Sequence, residues 1–421
     1  MKRRVAITGL GITCPIGNNV NEVVESVREG KCGIGPITHY DTTDRIVTLA
    51  GEVKNLDMSE YIPPKEQRKI DLYTQYAIVA ATQAMNDSGL LELDEERDRW
   101  GTIISSGIGG IKTIEDNQMT GSRRGFDKVT PFYIPMAISN MAAGNVAILF
   151  GLKGFCSATV TACASAANAI GDGFRQIRDG YEDVMLCGGS EAAITPLSIG
   201  GFTSMKALNH STDPARASIP FDKERSGFVM GEGAGILILE EYEHAKARGA
   251  HIYGEVVGYG ANCDAYHITS PCPDGSGAAK CMKLALDDAG LKPEDIDYVN
   301  AHGTSTKIND KGESAAIKAV FGEHAGSAAE GGPNSRKLKV SSTKSMTGHM
   351  LGASAAAEAV ITVKALEDSF VPPTVGYKVP DEECDLDYVP NKGYEYEMKY
   401  AISNSFGFGG HNATLVFKKA E

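Results

Sequence analysis

The sequence lacks the patterns that mark several common classes of protein. Its 421 residues include nine cysteines, yet no two are spaced as Cys-x-x-Cys and none has the spacing of zinc ligands. An odd number of cysteines without such spacing indicates a reducing compartment rather than a disulfide framework. No apolar run is long enough to cross a membrane, and the net charge of −13 argues against general binding to nucleic acid. We therefore expect a cytoplasmic protein with no metal site, no membrane and no nucleic-acid partner.

The N-terminal glycines also fail to form a dinucleotide motif. Residues 5–9 read as a first strand, and residues 9–17 read as a glycine-rich turn. No third glycine follows Gly9 and Gly11 at the required offset, and Pro15 opposes the helix that should come next. The stretch predicts a strand and a turn without a nucleotide site.

Predicted strands and helices alternate along the chain, and the second half echoes the first. This alternation favours an α/β fold with mainly parallel sheets, divided into residues 1–251 and 252–421. Identities this short also arise by chance, so the repeat is a hypothesis. The segments that resemble each other are 84–90 with 285–291, and 164–167 with 353–356.

One cysteine lies where a strand is predicted to turn into a helix. Residues 157–162 read as the end of a buried strand, and residues 164–170 read as a closely packed helix, with Cys163 between them. The helix macrodipole at such a position favours the thiolate, which is the nucleophilic form. A buried, inert cysteine in an alanine-rich turn explains the pattern equally well.

Histidines and a lysine follow predicted strands in the second half. His302 lies in the segment YVNAHGTST, whereas Lys344 and His349 lie in VSSTKSMTGHMLG. The positive end of the helix after His349 should keep its imidazole neutral. A cysteine, two histidines and a lysine suggest carbonyl chemistry at a thioester. His267 and His411 have similar surroundings, so the pattern alone does not choose between the histidines.

Two clusters of basic residues stand out on this acidic chain. Proline at positions 63 and 64 opens a predicted helix whose cations share one face, and a second cluster follows about 55 residues later. A solvated surface explains both clusters as well as a binding role does. The clusters are Lys65, Arg68 and Lys69, and Arg123, Arg124 and Lys128.

Six segments together resemble one known family. They are TACASA around Cys163, NAHGTST around His302, KSMTGH at residues 344–349, SFGFGGHN at 405–412, DAYHITSP at 264–271 and PFDKERSGFVMGEGAG at 220–235. The match follows the order of these segments along the chain and covers essentially its whole length, and the chain resembles the β-ketoacyl-[acyl-carrier-protein] synthases. Within the family it most resembles the elongating condensing enzymes, synthase II, of bacterial type II fatty-acid synthesis.

The resemblance implies a fold, a reaction and partners. The fold would be thiolase-like, with two similar halves in a five-layered αβαβα sandwich of mixed, mainly parallel sheets, and the protein would be a homodimer. An acyl group held on Cys163 would condense with malonyl-[acyl-carrier-protein], with loss of carbon dioxide, to give a β-ketoacyl product longer by two carbons. Substrates would arrive on the phosphopantetheine arm of acyl carrier protein, with no separate cofactor.

The resemblance also implies roles for individual residues. The catalytic set would be Cys163, His302, His349, Lys344 and Phe408, with Phe408 gating the acyl channel and sharing an N–H oxyanion hole with Cys163. The acyl, pantetheine and malonyl groups would contact Ile108, Phe202, Thr269, Thr304 and Thr306. Asp264 and Asn412 would steady the mobile loops. Carrier protein would dock on Lys65, Arg68, Lys69, Arg123, Arg124, Lys128 and Lys206.

One segment and one single position depart from many members of the family. Residues 307–310 read Lys-Ile-Asn-Asp instead of Pro-x-Gly-Asp, and His411 stands where others have threonine.

Three other functions have to be compared with this assignment. A thiolase would need a second catalytic cysteine near the C-terminus, but Cys384 lies outside any motif. A non-catalytic chain-length-factor subunit would lack the nucleophilic cysteine. A polyketide ketosynthase shares the Cys-His-His set, so the chain alone does not exclude it.

Overall fold

The strands of the protein were assigned from a computed structural model, which describes residues 2–421. They are β1 (Val5–Thr13), β2 (Gly35–Pro36), β3 (Leu49–Ala50), β4 (Trp100–Ser105), β5 (Cys156–Ser157), β6 (Val184–Glu191), β7 (Gly233–Glu241), β8 (Gly254–Cys263), β9 (Tyr298–Asn300), β10 (Lys339–Ser341), β11 (Phe370–Val371), β12 (Tyr394–Glu395), β13 (Tyr400–Gly407) and β14 (His411–Lys419).

Helices connect most of these strands. They are α1 (Val20–Glu29), α2 (Pro64–Gln67), α3 (Leu72–Ser88), α4 (Ile111–Arg124), α5 (Tyr133–Ala137), α6 (Met141–Phe150), α7 (Ser165–Arg178), α8 (Pro196–Ser204), α9 (Pro214–Ala217), α10 (Tyr242–Ala247), α11 (Ser276–Ala289), α12 (Lys307–Phe321), α13 (Lys344–Thr347) and α14 (Ser354–Asp368). Short 3₁₀ turns at Ala162–Ala164 and Leu351–Ala353 lead directly into α7 and α14.

Ten strands form one hydrogen-bonded sheet that is symmetric about its centre. Its order is β10-β9-β13-β14-β8-β1-β7-β6-β4-β5. From the central β8–β1 pair outward, each half has an antiparallel stretch followed by two parallel ladders at the outer end. The prediction of a mixed sheet is confirmed, but parallel ladders do not dominate it, because only four of the nine ladders are parallel.

Helices lie on both faces of the two half-sheets and between them. Helix α3 packs on β1 and β7 from one outer side, and α11 packs on β8 and β14 from the other. Between the halves, α7 and α14 contact each other, and α14 touches both β7 and β13. Both central helices are almost wholly buried and rich in alanine. This is the five-layered αβαβα arrangement expected of a thiolase-like fold with two similar halves.

The first strand is longer than the sequence predicts. Instead of turning at Gly9, β1 continues to Thr13, and Gly9 and Gly11 lie within it. The reason is the close approach of α3, since a Cβ on Gly11 would lie 1.9 Å from the carbonyl oxygen of Ala80. The glycines therefore serve helix–strand contact rather than a turn.

The strand predicted before Cys163 is shorter than expected. Only Cys156 and Ser157 form β5, and residues 158–161 leave the sheet. Strand β5 is the last strand at one edge, and Val160 is 50% exposed. The prediction of a buried strand over residues 157–162 was therefore wrong, because small and β-branched residues occur at an exposed edge as well as in a core.

The ends of two helices follow from the residues found there. Helix α3 ends at Ser88 with Gly89 in the left-handed conformation (φ 70°), which glycine adopts without steric cost. Helix α2 is a single turn that ends at Gln67, so Arg68 caps it and Lys69 lies beyond it.

Across residues 2–421, the structure contains no helix with the length and apolar character needed to span a bilayer.

The close contact of β1 with α3 leads to a stability prediction. Replacing Gly11 by alanine should lower the free energy of unfolding by about 1–3 kcal/mol or more, because the added methyl group meets backbone that has little freedom to move. Denaturant unfolding followed by circular dichroism measures the change. Gly200→Ala in α8 is the control, since its Cβ would enter open space, and equal stability losses in both variants would contradict the prediction.

Candidate active site

Two turns of the same shape bring the site together. Ala162 (φ 51°) precedes α7 and Leu351 (φ 46°) precedes α14, and both are in the left-handed region that non-glycine residues seldom adopt. Each begins a 3₁₀ turn that passes directly into its helix, and the two turns contact each other. Strain of this kind persists only where the surrounding structure enforces it, and it is common at functional sites.

The contact between these turns joins Cys163 to His349. The Sγ atom of Cys163 lies 3.1 Å from Nε2 of His349. On its other side, His349 Nδ1 lies 2.8 Å from the hydroxyl oxygen of Ser354, the first residue of α14. Because a hydroxyl group both donates and accepts, Ser354 can support either neutral tautomer of the imidazole. The thiol therefore has a proton acceptor or a hydrogen-bond donor within reach.

His302 completes a pair of imidazoles and lies beside the buried lysine. It follows β9, and its ring centroid is 5.4 Å from that of His349. The Nζ atom of Lys344 lies 3.4 Å from Nδ1 of His302, and the same ammonium group forms an ion pair with Glu358. The carboxylate of Glu313 accepts the N–H groups of His302 and Gly303, both at 2.8 Å.

Burial sets the charge of both histidines. It lowers the pKa of His302 and of His349 well below the ordinary value, and the positive charge of Lys344 lowers each pKa further. Both imidazoles are therefore neutral at neutral pH, as the sequence predicts for His349, although burial is the main cause. A neutral imidazole carries one N–H donor, which suits stabilisation of a developing negative charge.

The prediction of a thiolate at Cys163 was wrong. Burial raises the pKa of the Cys163 thiol to about 12, and the nearby carboxylate of Glu191 also raises this pKa. Lys344 and the backbone N–H groups of Phe408 and Cys163 act in the opposite direction without cancelling the effect of burial. The resting group is a thiol, so its proton must leave as it attacks.

The backbone around Cys163 offers two convergent N–H donors. The N–H groups of Phe408 and Cys163 both lie within interaction range of Sγ. Gly407 permits this approach, since a Cβ there would lie 2.6 Å from the carbonyl oxygen of Thr161. Beyond Phe408, Gly409 and Gly410 have positive φ angles of 87° and 76°. Two donors beside a nucleophile have the form of an oxyanion hole.

A pocket of about 350 Å³ opens at Cys163. Its lining includes Cys163, Phe202, Lys206, Asp264, Thr269, His302, Thr304, Thr306, Phe408 and Asn412, and also Met205, Lys307, Ile308 and Leu351. Most of the predicted binding residues thus meet in one place. Ile108 is outside this lining, but it packs with Phe202 and Leu351 in one apolar cluster.

The polar residues of the pocket rim are paired with each other. Asn412 donates to Asp264 at 2.6 Å, and the other carboxylate oxygen of Asp264 accepts the N–H of Cys272 at 2.9 Å. The hydroxyl oxygens of Thr304 and Thr306 are 2.9 Å apart. Asp264 and Asn412 therefore connect the loop after β8 to the start of β14.

The predicted docking residues are spread over several segments. Lys206 lines the pocket, whereas the other six lie outside it, on or after α2 and around the end of α4. Lys69 is 2.8 Å from Glu66, and its ammonium lies 5.9 Å from the ring of Phe132. Six of the predicted residues therefore expose basic side chains outside the pocket. The charge of one of them, Lys69, is partly neutralised by Glu66.

Sequence reasoning missed two buried carboxylates. Glu358 lies in an alanine-rich buried helix and Glu313 in α12, and burial raises the pKa of each to about 7 while Lys344 opposes this rise. The sequence carried a signal for Glu358, which is a lone glutamate within a run of alanines. A charge in a helix of this kind is expected to be buried and therefore to need a partner. Residues 307 and 308, noted only for departing from the family pattern, lie in the pocket lining.

The cluster can also be tested as a metal site. Among residues 2–421, Cys163, His302 and His349 are the one group with three possible ligand atoms within 4.8 Å of one another. The buried ammonium of Lys344 next to His302 would repel a metal ion, and Cys163 is a thiol rather than the thiolate that binds metal. The arrangement fits covalent catalysis better than metal binding.

Comparisons with known proteins agree with this geometry. The profile of the β-ketoacyl synthase N-terminal domain matches residues 2–245, and that of the C-terminal domain matches residues 253–378. The chain belongs to the β-ketoacyl synthase family. The family assigned from the sequence motifs is thereby confirmed, and so is its thiolase-like fold.

Individual relatives of this synthase match over the full length. A 3-oxoacyl-[acyl-carrier-protein] synthase 2 from Synechocystis is 52% identical over 99% of this chain and 98% of that protein, and one from Staphylococcus aureus is 50% identical over 100% and 99%. Two solved structures each superimpose with a TM-score of 0.90 over the full length of both chains. One is a β-ketoacyl synthase from Burkholderia phymatum (34% identical), and the other is a type II polyketide ketosynthase in complex with its acyl carrier protein (37% identical).

The protonated state of Cys163 can be measured by alkylation. Since burial raises its pKa to about 12, the thiolate fraction should grow about tenfold per pH unit between pH 7 and pH 9. The rate of reaction with iodoacetamide, followed by peptide mass spectrometry on the Cys163 peptide, should rise in proportion. A rate that levels off near pH 8 would mean that the helix N-terminus and Lys344 outweigh burial. Cys163→Ala measures the background from the other cysteines.

Proposed function

We propose that this synthase elongates an acyl chain by decarboxylative Claisen condensation of a Cys163-bound acyl thioester with malonyl-[acyl-carrier-protein]. The observation that carries this proposal is the contact of Cys163 with His349, with His302 and Lys344 beside them in one buried cluster. A nucleophile, two neutral N–H donors and a fixed cation are the groups that acyl transfer and decarboxylation require. The full-length identity of 50–52% to 3-oxoacyl-[acyl-carrier-protein] synthases 2 supports the same assignment.

In the first half-reaction, Cys163 takes the acyl group. As Sγ attacks the thioester carbonyl, His349 Nε2 at 3.1 Å accepts the thiol proton, and Ser354 accepts from Nδ1–H. The N–H groups of Cys163 and Phe408 hold the oxyanion. When the tetrahedral intermediate collapses, His349 returns the proton to the departing pantetheine sulfur. The products are acyl-Cys163 and the free thiol of the carrier protein.

In the second half-reaction, malonyl thioester loses carbon dioxide. The N–H groups of neutral His302 and His349 donate to the thioester oxygen and stabilise the enolate that forms, while Lys344 orders the site by its charge. The enolate carbon attacks the acyl-Cys163 carbonyl, the C–S bond breaks, and the departing Cys163 thiolate takes up one proton from solvent by way of His349, which regenerates the thiol. The product is the β-ketoacyl thioester.

The lining of the pocket supports the binding roles that the resemblance implies. Thr269, Thr304 and Thr306 are assigned to the pantetheine arm and malonyl group, and Ile108 and Phe202 to the acyl chain. Phe408 is assigned as the gate, flanked by glycines that let its loop move. Asp264 and Asn412 are assigned to hold the adjoining loops. The substrates carry their own phosphopantetheine, so no separate cofactor is required.

Acyl carrier protein is the proposed partner. The related ketosynthase structure in complex with its carrier protein supports this choice. Carrier proteins of this kind are acidic, so we assign their docking to the exposed basic residues outside the pocket together with Lys206 at the pocket. These are Lys65, Arg68, Lys69, Arg123, Arg124, Lys128 and Lys206.

We further infer a homodimer in the cytoplasm, with the chain divided into halves at residues 251 and 252. Strand β5 is an unpaired sheet edge, and apolar side chains around it are exposed, including Phe155 (44%) and Ile148 (80%). Exposed apolar edges are normally covered by a partner.

The free cysteines support a reducing compartment such as the cytoplasm. The symmetric order of the sheet supports the division of the chain into two halves.

Trapping the acyl enzyme tests the proposed reaction. Incubation with octanoyl-[acyl-carrier-protein] should add one octanoyl mass to the protein, mapped to Cys163, and Cys163→Ala should gain none. Malonyl-[acyl-carrier-protein] should then remove this mass and yield a β-ketoacyl product. Intact-mass spectrometry measures both steps. If no acyl mass forms at any chain length tried, a non-catalytic partner subunit becomes the better assignment.

The docking assignment has its own test. Lys65→Glu should raise KM for acyl carrier protein several-fold at low salt while kcat is unchanged, since an exposed charge acts on encounter rather than on chemistry. Steady-state kinetics at two salt concentrations measure the effect, and high salt should diminish it. The matched control is Lys392→Glu, an exposed lysine outside the docking set. An unchanged KM for Lys65→Glu would rule out this docking site.

A further inference from the structure

A buried carboxylate next to the site has no role in the steps above. Glu191 is the last residue of β6 and has no exposed surface. No lysine, arginine or histidine forms an ion pair with it among residues 2–421. Its partners are instead four hydrogen-bond donors on two different loops. A buried charge without a cation is costly unless donors surround it, so this cradle is a built feature of the fold.

The first loop in the cradle carries Ile108. Ser106 donates its hydroxyl to Oε1 of Glu191 at 2.8 Å, and the N–H groups of Gly107 and Ile108 donate at 2.7 and 3.2 Å. Ser106 also accepts the N–H of Gly109 at 2.9 Å, which closes the loop on itself. Glu191 therefore fixes the backbone of the segment from which Ile108 packs against the apolar cluster that Phe202 also contacts.

The second loop in the cradle is the turn that follows His349. The N–H of Gly352 donates to Oε2 of Glu191 at 2.9 Å. Space for the carboxylate depends on two glycines, since a Cβ on either Gly107 or Gly352 would lie 2.8 Å from Oε2 of Glu191. Leu351, adjacent to Gly352, lines the pocket. One carboxylate thus joins two segments that shape the acyl pocket and position His349.

The symmetry of the fold explains what this cradle is. Gly352 is the counterpart of Cys163, because each is the middle residue of a 3₁₀ turn that begins with a left-handed residue and leads into a central helix. In the first half, the N–H of Cys163 is one of the two donors that the proposed mechanism assigns to the oxyanion. In the second half, the equivalent N–H is occupied by Glu191. The internal carboxylate therefore takes the place that an oxyanion takes at Cys163.

We propose that Glu191 is a positioning residue, whose carboxylate fills the anion hole of the second half and locks the Ile108 loop to the His349 turn. It acts through these segments and does not contact the substrate. This inference rests on the proposed condensation. It explains what holds the acyl pocket in line with His349 during that reaction. Its negative charge also opposes ionisation of Cys163, whose other charged or titratable neighbours are Lys344, His349 and His302.

The two effects of Glu191 separate in the variant Glu191→Gln. Loss of positioning should slow acylation of Cys163 by palmitoyl-[acyl-carrier-protein] about tenfold, since small misplacements of reacting groups are costly. Loss of the negative charge should speed alkylation of Cys163 by iodoacetamide about threefold or more at the same pH. Intact-mass time courses measure both rates. The thermal unfolding temperature and circular dichroism of the variant must match the wild type, because a loosened fold would expose Cys163 and would also speed alkylation while acylation falls.

Controls keep this test separate from the proposed function. Wild-type protein must be acylated first, and its failure at every chain length tried would count against the condensation rather than against Glu191. Glu182→Gln removes another buried carboxylate, one that accepts the N–H of Phe155, and should change neither rate. If Glu191→Gln acylates at the wild-type rate, or if its alkylation is not faster, the proposal is overturned.

A second variant decides the question if Glu191→Gln does not fold. Ser106→Ala removes one donor from the cradle and keeps the charge. It should slow acylation by palmitoyl-[acyl-carrier-protein] several-fold, more than acylation by octanoyl-[acyl-carrier-protein], and leave alkylation unchanged. Equal acylation rates for Ser106→Ala and wild type would overturn the proposal.

Discussion

The packing of two buried helices at their N-termini is the constraint on which the rest of this structure depends. Helices α7 and α14 form the central layer, and each follows a 3₁₀ turn whose first residue is held in the left-handed conformation. Alanine and serine at their contact let the backbones approach closely. This approach brings Cys163 within 3.1 Å of His349 although the two are 186 residues apart in sequence. A larger side chain at this contact would separate nucleophile and histidine.

The same burial that allows this packing determines the electrostatics of the site. Because burial disfavours the charged form of each group, the two histidines are neutral and Cys163 keeps its proton. The buried ammonium of Lys344 is balanced by the carboxylate of Glu358. The site therefore holds neutral donors and one fixed ion pair before any substrate enters. Such preorganisation stabilises charge as it develops and avoids rearranging solvent. Glu191 fits this scheme as a charge satisfied by donors rather than by a cation.

Sequence reasoning succeeded where local pattern and chemistry coincide and failed where a distant segment decides. The helix ending at Gly89 was predictable because glycine tolerates the left-handed conformation of a cap. The extended β1 was not, because only the approach of α3 shows why Gly9 and Gly11 stand within a strand. The thiolate at Cys163 was wrong for the same reason, since a helix N-terminus is visible in sequence and the depth of burial is not.

By itself, the sequence determined the family, the α/β fold with two similar halves and the chemical groups at the site, because short motifs carry both the reactive side chains and the glycines around them. Only the tertiary structure decided which histidine contacts Cys163, which carboxylates are buried with Lys344, and that Glu191 joins two loops. These features depend on distances between segments far apart in the chain. Burial and pairing at that range follow from packing of the whole fold, which no local pattern encodes.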